Sequence, residues 1–118
     1  MVGMAELLVL AQKSGVDPER VVAAIRGGAA QCWTLDNKPP RLFEGERGPG
    51  FKAYMQHKDL GIVLDTARAY GLSIPMTAVN AQLYEAMLHN GMAELDNSAV
   101  LGILEMLSGT HVGPEPAP

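Results

Sequence analysis

PGFKAYMQHKDLG, Pro49 to Gly61, reads as a turn feeding a long helix. Wound at 3.6 residues per turn, Phe51, Met55, Lys58 and Ile62 share one narrow stripe. Three of the four are apolar and one is a lysine. In one reading Lys58 lays its stem over Phe51 and Met55 and sends its ammonium to water. In the other the helix start faces a cleft, where Lys58 meets an anion or a polar amide. On these residues alone the first reading leads.

Outward from this stretch the helical period persists. The helix runs to about Tyr70, where Gly71 stops it, and Leu72 to Pro75 form a short extended link. Met76 to Asn90 is a second helix, with Val79, Leu83, Ala86 and Met87 on one side. Asp96-Asn97-Ser98 offers caps for a last helix ending at Leu107. From Gly109 the chain, GTHVGPEPAP, reads as a frayed tail, so residues 1–108 form the domain and 109–118 its flexible end.

Upstream, residues 1–14 place Met4, Leu7, Leu8 and Ala11 on one helix face. Asp17-Pro18-Glu19 starts the next helix as cap, first-turn proline and dipole-matched acid. Val21, Val22, Ala24 and Ile25 are its expected buried side. Residues 29–37 form a short helix, interrupted by Lys38-Pro39-Pro40, and Arg41 to Glu44 make at most one further turn. No segment alternates with period two between hairpin turns. The expected fold is all-α, with five longer helices and one or two short ones.

Apolar residues make up 47% of the 118 and charged residues 19%, which suits one globular domain. Two Phe and one Trp leave the core to aliphatic side chains. A net charge of −4 argues against nucleic acid, and so against a helix-turn-helix reading of GVDPERVVAAIRGG. One cysteine permits no internal disulfide and favours a reducing, cytoplasmic setting. The N-terminus lacks a basic lead-in, and no apolar run reaches membrane-spanning length.

Other candidates are few. Trp33 fits a core anchor, although its place between helix breakers tilts it towards a cleft edge. Cys32 has no histidine placed to activate it and reads as a buried thiol. His57, His89 and His111 are scattered without metal-ligand spacing. No nucleophile–base pair or phosphate-cradling glycine loop stands out.

The order of motifs says more. AELLVLAQKSGVDPERVVAAIRGG is followed by QCWTLDNKPPRLFEG, then PGF with KDL seven residues after the Phe. Ile74-Pro75-Met76-Thr77-Ala78 and Leu95-Asp96-Asn97-Ser98-Ala99 come next. In this order, over residues 4–107, the chain resembles the C-terminal helical domain of the β-hydroxyacid dehydrogenases. That family includes 3-hydroxyisobutyrate dehydrogenase and tartronate semialdehyde reductase (2-hydroxy-3-oxopropionate reductase).

The resemblance implies a helical bundle like the C-terminal domain of 6-phosphogluconate dehydrogenase. It implies a preceding Rossmann domain that holds most of an NAD or NADP cofactor. Residues 1–14 would end the interdomain helix, whose catalytic lysine lies outside this sequence. The expected fragment is therefore inactive alone. Lys58 matches a lysine contacting the nicotinamide cofactor, and Asp59 the acid beside it. Phe51 matches a substrate-pocket aromatic, and Trp33 a position on the substrate side of the cleft. The implied substrate is a small hydroxy acid or its semialdehyde, and the implied assembly at least a homodimer. A stand-alone helical interaction module is the alternative.

Overall fold

The computed structural model describes residues 1–114. It is all-helical, with five longer helices: α1 (Val2–Lys13), α2 (Pro18–Ile25), α5 (Ala53–Ala69), α6 (Pro75–His89) and α7 (Leu101–Ser108). Two five-residue helices, α3 (Trp33–Asn37) and α4 (Pro39–Phe43), lie between α2 and α5, and a 3-10 turn, Asn97–Val100, leads into α7. No strand forms among the described residues; an isolated bridge joins Lys52 and Asp96.

The core is built around α1. Val2, Ala5, Leu8 and Val9 pack with Leu42 of α4, Tyr84 and Met87 of α6, and Val100, Leu101 and Ile103 before and within α7. Asp17 caps α2 by accepting the Glu19 amide at 2.9 Å, and Pro18 occupies the first turn. Only Pro18 and Val22 of α2 are fully buried, and Ala24 is exposed rather than part of the inner face. On α6 Val79 is 53% exposed, because the buried line runs through Ala81, Tyr84 and Met87 instead.

Four further expectations are corrected. The short helix expected from residue 29 starts at Trp33, because the chain first turns through Gly28 and Gln31 and Cys32 is extended. Lys38-Pro39-Pro40 does interrupt the short helix, at Lys38, but the further turn starts earlier than Arg41: the prolines open α4, with Pro39 in a first-turn position that needs no amide. Cys32 is exposed, since it precedes α3 and that helix buries only Leu35. The chain does not fray at Gly109: Val112 is fully buried, its amide donating to Glu105 Oε1 at 2.8 Å. Arg47 also holds the segment, donating to the carbonyls of Leu42 (2.9 Å) and Val112 (3.2 Å). Residues 115–118 of the expected tail lie outside the described residues.

Helix α5 begins at Ala53, so Phe51 precedes it. Its inward residues Ala53, Leu60, Leu64 and Ala67 recur at helical spacing, and α5 packs chiefly on α6 and the 3-10 turn. Tyr54, Lys58 and Ile62 lie on the opposite, exposed side. The stripe that made Lys58 look out of place is therefore no single face: Phe51 precedes the helix, Met55 is half-buried, and Lys58 and Ile62 are exposed, so Ile62, not the lysine, is the unusual member.

Candidate functional site

The head of α5 is locked to the segment before the 3-10 turn by backbone hydrogen bonds and by the Lys52–Glu94 ion pair, Nζ 2.7 Å from Oε2. The Ala53 amide donates to the Leu95 carbonyl at 2.9 Å and the Tyr54 amide to the Ala93 carbonyl at 3.1 Å. Asn97 donates its amide to the Phe51 carbonyl at 2.7 Å, and Asp96 donates to Arg47 at 3.0 Å. First-turn amides that a helix leaves unpaired are thus consumed inside the domain. They are not free to cradle a phosphate.

Beneath this junction lies a buried carboxylate. Asp96 is 1% exposed and Lys38 6%. The Lys38 ammonium donates to both Asp96 oxygens, at 3.0 and 2.8 Å. Oδ1 also accepts the amides of Gly50 and Phe51, each at 2.9 Å. Oδ2 accepts the Ser98 amide at 3.0 Å and the Ser98 hydroxyl at 2.5 Å. Burial pushes the Asp96 carboxyl up, but the Lys38 ammonium, the Ser98 hydroxyl and amide and the Phe51 amide outweigh it. The group is held well below the usual carboxylate range. The other face of the Lys38 ammonium meets the Trp33 ring, 5.7 Å from its centroid.

Two of the expected site residues are joined through this network. Phe51, half-buried, is fixed through its amide and carbonyl; Trp33, 66% exposed, lies over Lys38 and is no core anchor. Lys58 and Asp59 form their own pair on α5, with Nζ 3.0 Å from Oδ1 and side chains 62% and 47% exposed. The ammonium projects from the outer face, about 8 Å of helix rise beyond Ala53.

Lys38 was not legible as part of a site. A lysine before two prolines reads as linker, and Asp96 reads as an ordinary cap. The cap is real, but it uses only part of the carboxylate. The histidines face carboxylates: His57 and His89 meet Glu85, and His111 meets Glu105. Among the described residues no group of His, Cys, Asp and Glu is placed to hold a metal ion, and no helix is long and apolar enough to cross a membrane.

Fold and site together define a helical domain whose longest helix presents an aromatic at its head and a Lys–Asp pair on its outer face. The chain belongs to the 3-hydroxyisobutyrate dehydrogenase family: residues 1–104 match the family model described as "NAD-binding of NADP-dependent 3-hydroxyisobutyrate dehydrogenase". It is 36% identical to the 2-hydroxy-3-oxopropionate reductase of Escherichia coli over 89% of this chain and 36% of that one. It is 41% identical to an uncharacterized oxidoreductase of Bacillus subtilis over 77% of this chain and 32% of that one. Solved 3-hydroxyisobutyrate dehydrogenases superpose on it. The one from Salmonella typhimurium has a TM-score of 0.82 at 25% identity, over 86% of this chain and 36% of that chain. The one from Mycobacterium tuberculosis, a structure with L-serine, has a TM-score of 0.76 at 29% identity, over 87% and 38%. The chain spans about a third of the length of the curated relatives it matches.

Proposed function

We propose that this chain is the C-terminal substrate-site and dimerisation domain of an NAD(P)-dependent β-hydroxyacid dehydrogenase, closest in kind to a tartronate semialdehyde reductase and working in the cytoplasm. The family match along residues 1–104 carries the reading. The residues fit the role of cofactor cover better than that of cofactor cradle. Asp17 takes one first-turn amide of α2, backbone carbonyls take those of Ala53 and Tyr54 at the head of α5, and Asp96 caps the 3-10 turn, so the α5 head beside Phe51 offers no free amides to a pyrophosphate. A preceding Rossmann half supplies that cradle, and the chain alone is inactive.

Within that enzyme Lys58 donates to the nicotinamide end of the cofactor, and Asp59 restrains its ammonium. Phe51 and Trp33 form the aromatic side of the substrate pocket and keep water from the reacting carbon. The bound cofactor supplies the hydride. A lysine held beside the pocket adds fixed positive charge where oxygen gains negative charge. The substrate is a small hydroxy acid or semialdehyde, in keeping with the names of the relatives and with the L-serine, a β-hydroxy acid, of the Mycobacterium tuberculosis structure.

The test joins this chain to the dinucleotide-binding half of the Escherichia coli reductase and follows reduction of tartronate semialdehyde. Lys58→Ala is expected to weaken cofactor binding and cut turnover by about tenfold or more. Unchanged activity and cofactor affinity would remove Lys58 from the site.

A further inference from the structure

We propose that Lys38 is a positioning residue that sets Trp33 and Phe51 as one rigid aromatic wall. The proposal rests on the substrate-pocket reading of those two aromatics. Its basis is one continuous path: the Trp33 ring, 5.7 Å from the Lys38 ammonium; that ammonium on both oxygens of Asp96; and Asp96 Oδ1 on the amides of Gly50 and Phe51.

Every part of this path is constrained. Lys38 is both the last cap of α3 and the first of α4, and its backbone is helical (φ −87°, ψ −42°) although a proline follows. A residue before proline is steered away from that conformation. Two short helices are thus joined at the residue whose side chain points inwards. On the far side Gly50 leaves no slack: a Cβ there would lie 3.0 Å from Asp96 Oδ1, 3.4 Å from an Arg41 guanidinium nitrogen and 3.7 Å from Lys38 Nζ.

Such a pair is a poor source of net stability, because desolvating both charges offsets most of their attraction. It is a good source of geometry. With six donor contacts converging on Asp96, the carboxylate has no alternative arrangement of similar energy. Phe51 is held by its amide, so its ring starts from a fixed Cα. Trp33 is exposed, and its ring has the Lys38 ammonium beneath it. If Lys38 loses its charge, both aromatics loosen together while the hydrophobic core around α1, which contains neither, stays packed.

Trp33 is the only tryptophan, so its fluorescence reports the wall directly in this chain. The variants are Lys38→Met/Asp96→Asn, which leaves no unpaired buried charge, and Gly50→Ala, which disturbs the path without deleting a charge. With far-UV circular dichroism unchanged, the double variant is expected to show lower Trp33 anisotropy and stronger acrylamide quenching. In the enzyme assembled with a dinucleotide-binding half, both variants are expected to raise KM for tartronate semialdehyde about tenfold, with kcat and cofactor Kd within about twofold. A folded double variant with unaltered Trp33 quenching overturns the proposal. So does an unaltered KM in both variants when Phe51→Ala and Trp33→Ala do raise it. If those two alanine variants leave KM unchanged, the pocket assignment itself fails and the positioning role falls with it, a pattern distinct from the other two.

Discussion

Tyr84 crosses the core to donate its hydroxyl to the Asn97 carbonyl at 2.9 Å, tying the middle of α6 to the 3-10 turn. Burial, and then the nearby Asp96 charge, push the phenol's pKa upward. Tyr84→Phe keeps the packing and leaves the carbonyl without this donor. It is expected to cost about 1–2 kcal/mol of stability, read as a melting point lower by about 5 °C. The sign of the pH effect follows from the raised value: the folded state favours the neutral phenol. Stability from Tyr84 is complete below the unfolded phenol value near pH 10 and declines above it. Urea midpoints between pH 8 and about 11 should fall more steeply in the parent than in Tyr84→Phe.

The Lys38–Asp96 pair predicts the acid behaviour. Asp96 binds its proton less readily folded than unfolded, so it stabilises the fold above the unfolded carboxylate value. That contribution is lost as pH falls below about 4 towards the folded value. Asp96→Asn should flatten this part of the stability profile. Removing one partner also strands the other: Asp96→Asn or Lys38→Met alone is expected to cost about 3 kcal/mol or more. The double variant should cost less than the sum of the two. Additive losses in denaturant melts would show that the two side chains do not act as a pair.

How much of this was legible follows from what each signal depends on. Helix type and order depend on local periodicity, caps and stops, and those were readable: Asp17, Gly15, Gly71 and Asp96 sit at the ends they were expected to mark. Which face of a helix is buried depends on partners far along the chain. The water-facing reading of Lys58 agrees with its exposure, but the placing of Phe51 on the helix does not hold, because α5 starts at Ala53 and α6 takes the side away from Lys58. Lys38 finds Asp96 58 residues away, and no local pattern announces that. The family was readable because motif order is a property of the whole chain. The roles of Lys58 and Phe51 rest on that resemblance, and their exposure alone assigns no chemistry.

The segment after α7 closes the domain. Arg47 bridges the Leu42 and Val112 carbonyls and sits 3.6 Å from Glu105, which also accepts the Val112 amide. Gly113 is in the left-handed region (φ +93°), and a Cβ there would come within 2.7 Å of the Leu42 carbonyl oxygen. Both strain and collision oppose a side chain at this position. Gly113→Ala is expected to cost about 2 kcal/mol. Ending the chain at Gly109 removes Val112 from the core and leaves Arg47 and Glu105 short of a partner. That variant should melt at least as low as Gly113→Ala. Equal melting points for parent and truncated chains would mean that the segment does not hold the fold.

The α5–α6 hairpin carries Ile62 (58% exposed), Val63 (48%), Leu72 (63%), Met76 (71%) and Val79 (53%) on its surface. A second apolar surface carries Leu10, Met106 and Leu107 on α1 and α7. Single exposed apolar side chains are ordinary, and two such groups on a small domain are candidate contact surfaces. If the chain self-associates through the hairpin, it sediments as at least a dimer at tens of micromolar, and Ile62→Glu/Met76→Glu shifts it to monomer. Neither side chain is buried in the monomer, so its melting point should move little. Leu107→Glu should leave the dimer intact and weaken docking of a dinucleotide-binding half supplied in trans. The reverse pattern, with dissociation by Leu107→Glu and none by the hairpin variant, would exchange the two surfaces. A monomeric parent chain would remove self-association from the domain altogether.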